Sequence, residues 1–521
     1  MNLFLFRRAG LFFVFLTLIQ GGLLAQDLTP YSPGSVDEAV TADYFESIKS
    51  DPLLLAAFLR EMPKGADLHN HLSGAIYAES MIAWLAEDGG CIDPVSESAV
   101  PCGSSANAIP AKDVMANPVL YRQVVDAWSM RNYELGDKSG HDHFFDTFGK
   151  FSYAGSGRLG DKLAEAATHA ERDNVIYLEL MTTPDGSKVA SLGSKVGWKE
   201  GFGAMRDALI AGGLRDSIAL ASKILDAAEA RMQQLLDCNS DEPSDACGVQ
   251  IRYLYQVARG IRPEQVFAQI LAGFEMAESD PRVVGFNLVM PEDYLVPLTD
   301  FTLHMQIINF LRPLYSKAHV SLHAGELVPG LVSPGELCCH IRQSIELGHA
   351  ERIGHGVDIT FENKPFDLLS LMKERNVMVE ICLTSNEVIL GVTGKDHPLH
   401  LYRNHDVPTA LATDDEGVSR IDLTHEFVKA VLEQNMNYHD LKDMARTSLE
   451  HAFVPGESIW ADAEKYELID LLGSIRAGWT NRTTEFFDGS EKARLQMQLE
   501  DAFERFEDAI AGRVVQIPET R

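Results

Sequence analysis

Short apolar runs rich in β-branched residues alternate with amphipathic helical stretches along most of this chain. Eight such runs stand out: Ala66–Leu68, Val175–Leu180, Ile251–Val257, Val283–Val289, Val320–Leu322, Arg352–Ile353, Val377–Ile381 and Thr409–Ala412. Between most of them apolar positions recur with the helical period, as in Pro263–Ser279, Thr299–Ala318, Pro334–Leu347 and Phe366–Arg375. Strands separated by helices predict a parallel sheet with crossover connections. Eight units of that kind predict closure into a (β/α)8 TIM barrel, an α/β fold. A helix over Val40–Leu59 precedes the first strand, and helices over Thr424–Glu433 and Tyr438–Phe453 follow the last. Two connections, about 83–174 and 183–250, are too long for a bare barrel and read as insertions on it. The expected layout is a segment 1–25 apart from the fold, a helical lead-in 26–60, a barrel 61–460 and a helical C-terminal extension 461–521.

The segment 1–25 carries Arg7 and Arg8, an apolar run from Leu11 to Ile19, and small residues before Gln26. That order predicts a secretory signal peptide cut near Ala25, because the apolar run is shorter than the roughly 20 residues of a spanning helix. The expectation is an exported protein, periplasmic or secreted, with no membrane association after cleavage. The formal charge is −31, from 45 basic and 76 acidic residues. A surface this acidic repels phosphate backbones and anionic lipid, which argues against nucleic acid polymers and membranes as partners and leaves a small neutral substrate open. Cys91 and Cys102 flank one polar loop and Cys238 and Cys247 another, so each pair predicts a local disulfide in an oxidising compartment. Cys338, Cys339 and Cys382 lie in more apolar context and are expected to be buried thiols.

The chemistry gathers where the predicted strands end, the functional face of such a barrel. His69 and His71 stand at i and i+2 on the first strand and project from one face. His323 ends the fifth strand, His355 follows the sixth, and Asp414 and Asp415 end the eighth. Three imidazoles and a carboxylate suit Zn²⁺, with a water in the open position. Glu326, three residues beyond His323, is placed as an acid beside the metal; His355 could orient or deprotonate the water. Taken singly each has a plainer reading, since a strand-end histidine is commonly structural and an Asp pair commonly caps a helix. Four strand ends carrying suitable groups together favour a metal site.

These motifs resemble the adenosine deaminase family of the amidohydrolase superfamily, in particular the secreted adenosine deaminases called growth factors. The resemblance runs in order over about residues 60–460. It rests on Met62-Pro63-Lys64 leading into Asp67-Leu68-His69-Asn70-His71-Leu72, and on Tyr177-Leu178-Glu179-Leu180 with Pro184. It continues through His323-Ala324-Gly325-Glu326, Gly354-His355-Gly356, Cys382-Leu383-Thr384-Ser385-Asn386, His397-Pro398 and Thr413-Asp414-Asp415. It implies one Zn²⁺ per chain held by His69, His71, His323 and Asp414, with Glu326 protonating purine N1, His355 assisting the attacking water and Asp415 orienting it. The implied reaction is hydrolytic deamination of adenosine or 2′-deoxyadenosine to inosine or 2′-deoxyinosine plus ammonia. Substrate contacts are expected from Asp415, Met290 and Glu292. Met290 stands where the family has a glycine after strand four, and Glu416 follows the aspartate pair where the family has proline. The alternatives are a deaminase of another aminopurine or amino-heterocycle, or a different mononuclear amidohydrolase. The first insertion is expected either to join two chains as a homodimer or to serve as a lid.

Other classes fit less well. A two-metal amidohydrolase needs a lysine at the end of strand four, and Val283–Asp293 has none. The cytidine-type deaminases need His-x-Glu with Pro-Cys-x-x-Cys, and only the first half occurs, at His349-Ala350-Glu351. A non-catalytic adenosine-binding protein would be expected to have lost part of the set, yet all seven metal and acid–base positions are present.

Overall fold

In the computed structural model, residues 34–516 are described, apart from 135, 137 and 474–480. The signal-peptide expectation for residues 1–25 lies outside the described residues. The eight apolar runs form the eight barrel strands: β1 (Gly65–His71), β2 (Val175–Thr182), β3 (Gln250–Ala258), β4 (Val283–Val289), β5 (His319–Ala324), β6 (Arg352–His355), β7 (Met378–Ile381) and β8 (Thr409–Leu411). Neighbours pair in chain order, all in parallel. The ring closes between the first and last strands, where His71 N–H donates to the Asp414 carbonyl (3.0 Å) and Asp414 N–H to the His69 carbonyl (2.8 Å). Asp67 fastens the same seam by accepting from the Thr413 hydroxyl at 2.6 Å. A (β/α)8 barrel is therefore the fold, with helices around it; the C-terminal extension, expected to be helical throughout, opens with a short antiparallel pair, Trp460–Asp462 with Glu467–Leu468, before its helices Asn481–Gly489 and Glu491–Gln516.

Every residue of β1 and β4 is buried, as expected of strands with helices outside and side chains filling the barrel. The helix Pro263–Ser279 is buried on nearly all sides because helices of the second insertion, Lys188–Val196 and Leu214–Leu235, cover its outer face. The lead-in is two helices, Val36–Ile48 and Pro52–Glu61, rather than one. Pro52 cannot continue a helix but suits a first turn, and Asp51 caps it by accepting from the Leu53 and Leu54 amides. Lys64 then closes this helix against the barrel floor, its buried ammonium donating to the Leu59, Met62 and Asp173 carbonyls at 2.6, 3.0 and 2.8 Å.

Two other helices differ from their expected bounds. The one expected over Thr299–Ala318 spans Leu295–Leu311 and tightens to a 3₁₀ turn at Arg312–Leu314, where Pro313 lacks the amide needed to continue. Only His340–Glu346 of the expected Pro334–Leu347 is helical, because Cys339 before it sits at φ +85°, a conformation no α-helix passes through. Disulfides join Cys91 to Cys102 and Cys238 to Cys247. Cys338 and Cys339 are also joined to each other, so they are not free thiols; the apolar neighbours suggested an interior, whereas both lie half-buried on a surface loop. Cys382 is a free, buried thiol.

The first insertion holds a three-stranded antiparallel sheet, Cys91–Asp93, Ser98–Val100 and Ile109–Pro110, and several helices around an apolar cluster of their own that includes Trp128, Phe144 and Phe151. Its helix Gly140–Phe151 lies on the helix Leu383–Leu390 that follows β7, and so over the C-terminal end of the barrel. His141 fixes it there, with Nε2 3.0 Å from the Asp293 carboxylate beyond β4. No described helix is long and apolar enough to cross a membrane.

Candidate active site and metal centre

At the C-terminal mouth of the barrel, His69, His71, His323 and Asp414 bring one ligand atom each to within 4.8 Å of all the others. The imidazole Nε2 of His323 lies 3.1 Å from Nε2 of both His69 and His71. Asp414 Oδ1 lies 3.5 and 3.3 Å from the latter two. The three other ring nitrogens are engaged: His69 Nδ1 on Glu380 (2.5 Å), His71 Nδ1 on the Gln256 carbonyl oxygen (3.2 Å) and His323 Nδ1 on the Asn287 carbonyl oxygen (2.8 Å). Each of those partners accepts, so each neutral ring carries its proton on Nδ1 and turns a bare Nε2 lone pair inward. Lone pairs facing one another across the two 3.1 Å separations repel unless a cation, either a proton on His69 or a metal ion, lies between them. The spacing suits ligands about 2.0–2.1 Å from a common centre, so the donor set fits a divalent metal. Glu380 and Asp414 overcome the effect of burial and push His69 up to about 10, so a cation entering here would displace a proton.

The supporting shell explains the ligand geometry. Asp414 sits at φ +60°, which turns its side chain back into the barrel, and the Ser385 hydroxyl holds Oδ2 at 2.6 Å, leaving Oδ1 for the cluster. Glu380 is fixed in turn by Ser321 (2.9 Å) and Arg352 (2.7 Å), and Arg352 by Glu179 (2.6 Å). Gly354 is where the His69 ring packs, since a Cβ there would lie 2.6 Å from its Cε1. Cys382 approaches His355 and Asp414 closely enough to form a second candidate cluster. Burial and the Asp414 charge push its thiol well above the usual range, so it remains a thiol and a poor ligand.

Glu326 and His355 stand beside the cluster, with His355 Nε2 3.7 Å from Glu326 Oε1. Burial, reinforced by the Asp414 and Glu292 charges, pushes the Glu326 carboxyl up to about 8. His355 is held neutral, burial lowering it to about 3. Its tautomer follows from a relay anchored on backbone. Leu399 N–H donates to His397 Nδ1 (3.1 Å), so His397 donates from Nε2 to the Asn386 carbonyl oxygen (3.1 Å), and the Asn386 amide nitrogen donates to His355 Nδ1 (3.0 Å). The proton of His355 is thereby placed on Nε2, which no other protein group engages among the described residues. Asp415 lies over Gly74, where a Cβ would fall 1.7 Å from its Oδ1, and that oxygen has no partner among the described residues. Burial and the neighbouring Asp414 push its carboxyl well above the ordinary range.

These groups line a cavity of about 290 Å³ together with Ser73, Gln256, Val289, Met290 and Pro291. Its roof is Phe144, Phe145 and Phe148 of the insertion helix with Tyr294 and Ile389. No lysine or arginine lines it. Met290 reaches the cavity from a left-handed backbone, φ +87°, where glycine is favoured. Glu292, expected against substrate, is not in the cavity: it is 1% exposed and its two oxygens are taken by the Gly325 and Glu326 amides and by His340. The sequence reading did not single out Gln256, Asn287, Glu380, Asn386 and His397 as functional. For Gln256, Asn287 and Glu380 the signal was a polar residue inside an otherwise apolar strand, as in Phe286-Asn287-Leu288 and Val379-Glu380-Ile381; Asn386 and His397 lie outside the strands and carried no such signal.

An eight-stranded parallel barrel with a buried N₃O cluster at its C-terminal mouth defines a metal-binding (β/α)8 protein. Residues 161–472 match the adenosine deaminase family model, and the chain belongs to that family. The match begins beyond β1, so His69 and His71 fall outside it. Among curated relatives, the adenosine deaminase of Clostridium kluyveri is 32% identical over 208 residues, 39% of this chain and 56% of that protein. The adenosine deaminase of Escherichia coli strain SMS-3-5 is 34% identical over 158 residues, 30% and 44% of the two chains. The chain thus matches about half the length of these relatives. Two solved structures share the fold: the apo N6-methyl-AMP deaminase of Arabidopsis thaliana, with TM-score 0.51, 22% identity and coverage of 77% of this chain and 94% of that one. The other is Arabidopsis ADAL complexed with IMP, with TM-score 0.50, 20% identity and coverage of 82% and 99%.

Proposed function

We propose that this protein is a zinc-dependent aminopurine deaminase acting on adenosine or 2′-deoxyadenosine and releasing ammonia. The observation that carries the proposal is the juxtaposition of the inward-facing N₃O cluster with the buried Glu326 carboxyl, 3.7 Å from His355 and pushed up by burial. His69, His71, His323 and Asp414 would hold one Zn²⁺, which supplies Lewis acidity and lowers the pKa of a water to about 7. Glu326 then gives its proton to N1 of the ring, drawing electrons from C6 as water adds there. His355 acts through its Nε2–H as a donor that orients the incoming oxygen rather than as its base. Asp415 offers the free Oδ1 as a second orienting group. One proton of the water passes to the exocyclic nitrogen, which leaves as ammonia when its bond to C6 breaks, and the other returns to Glu326 as the C6 carbonyl forms, leaving the acid's proton on N1.

With C6 at the cluster, the purine's N9 substituent points to the mouth, under the phenylalanine roof. A 5′-phosphate there would meet no cation. Charge-assisted hydrogen bonds are worth about 1.5–3 kcal/mol each, so AMP is expected to be disfavoured against adenosine by about 10²-fold in kcat/KM. The testing experiment follows absorbance loss for adenosine, 2′-deoxyadenosine, adenine and AMP on protein of known metal content. Equal or better use of AMP would refute the nucleoside assignment. Phe145→Ala should raise KM for adenosine about tenfold with little change in kcat, since the roof contributes binding that substrate and transition state share.

The raised Glu326 carboxyl gives a pH dependence. The acid is competent while protonated, so turnover should hold below about pH 8 and fall as pH rises through it. A kcat/KM profile from pH 6 to 10 checks this, and a flat profile would remove Glu326 from the role.

We further propose export of the protein after cleavage near Ala25, in keeping with the disulfides Cys91–Cys102 and Cys238–Cys247. N-terminal sequencing of the protein recovered outside the cytoplasm tests it.

A further inference from the structure

We infer that Glu292, oriented by His340, is a positioning residue that holds the loop bearing Glu326 in register with the ligand cluster. This rests on the acid role proposed for Glu326 and extends it to a part of the protein that touches no substrate. Glu292 follows β4, lies outside the cavity, and is buried beneath the turn Ala324-Gly325-Glu326. Its Oε1 accepts from Gly325 N–H at 3.1 Å and its Oε2 from Glu326 N–H at 2.9 Å. The other side of the same turn is held as well, the Gly325 carbonyl accepting from the Val357 and Asp358 amides at 2.8 and 3.1 Å. The turn carrying the acid is therefore pinned from two directions, and one of the two pins is a single side chain.

That side chain has few ways to move. Oε1 also accepts from His340 Nδ1 at 2.5 Å, and the His340 ring lies flat on Phe301, centroids 3.8 Å apart and planes within 7°. Arg259 Nη2 stands 3.9 Å from Oε2, while Arg259 Nε and Nη1 donate to the Met290 and His323 carbonyls at 3.1 and 2.9 Å. Burial would raise the Glu292 carboxyl, yet the His340 hydrogen bond and the Arg259 guanidinium hold it at about 2, so it stays an acceptor for both amides. Buried acceptors aimed at backbone N–H groups fix geometry, and a 1 Å displacement of an acid can cost about 10² in rate. The Arg259–Glu292–His340 group thus couples the ends of β3, β4 and β5 to the position of one proton.

His340→Phe tests the inference without emptying the site, because phenylalanine keeps the stacking on Phe301 and removes the Nδ1 donor. His340→Asn restores a donor at nearly the same place. His340→Phe should lower kcat on adenosine by about 10–10²-fold, leave KM within about threefold and leave the metal content unchanged. His340→Asn should recover most of the loss, and in a Glu326→Gln background His340→Phe should cost nothing further. An equal loss in both backgrounds, or no loss in either, would overturn the inference. Amide exchange supplies a reading that needs no turnover. Exchange at Gly325 and Glu326 should accelerate at least about tenfold in His340→Phe, and unchanged exchange overturns the positioning role. Wild-type protein inactive on every aminopurine but showing the exchange effect would refute the proposed reaction and leave the positioning of the loop standing.

Discussion

Replacing Glu326 with glutamine is expected to lower turnover of adenosine by about 10²–10⁴-fold while the metal stays bound. The figure is the usual contribution of a positioned general acid. Gln preserves the size and much of the hydrogen bonding of the side chain but cannot release a proton. The Glu326 side chain is buried at the cavity wall and stands 3.7 Å from His355 without being one of the four clustered ligands. Metal analysis and thermal melting should therefore match wild type, with the change confined to kcat. Near-normal turnover would remove Glu326 as the acid, and loss of metal would reassign it as a ligand.

Replacing His323 with alanine is expected to have the larger effect, abolishing both metal retention and activity. His323 is the ligand whose Nε2 lies 3.1 Å from each of the other two imidazoles, so it completes the three-nitrogen face of the cluster. Loss of groups that only support a ligand already costs about 10–100-fold in affinity, and loss of the ligand itself should exceed that. The variant should hold less than stoichiometric zinc after desalting. The wild-type melting temperature should fall on treatment with a chelator, whereas that of His323→Ala should not respond, since a ligand bound only by the native state stabilises it by mass action. Stoichiometric zinc in the variant would refute the ligand assignment.

The parts of this site legible in the sequence are those that a period and a residue type together specify. Apolar runs located all eight strands, and the C-terminal ends of those strands located His69, His71, His323, His355, Asp414 and Asp415. Glu292 shows where such reading stops. Its position after β4 suggested a residue facing the cavity, but the turn at Met290, with φ +87°, sends the next residues beneath the loop instead. Backbone handedness at one residue is not carried by a hydrophobic pattern. The Leu399–His397–Asn386–His355 relay was equally out of reach, because it joins the end of β6 to the connection between β7 and β8 and its meaning lies in which nitrogen bears a proton. The insertion helix Gly140–Phe151 was visible as an aromatic stretch, and only its seat on Leu383–Leu390 shows that those rings roof the cavity.

The seam between β1 and β8 has a consequence for how the protein comes into being. His69 and His71 are bonded through their main chains to Asp414, and the two sides of that seam are more than 340 residues apart in the chain. Most of the chain must be synthesised before the fourth ligand exists, so no fragment that ends before Asp414 carries all four ligands. Meeting of the first and last strands and completion of the four-residue cluster are thus the same event, and a chain cut before Asp414 achieves neither.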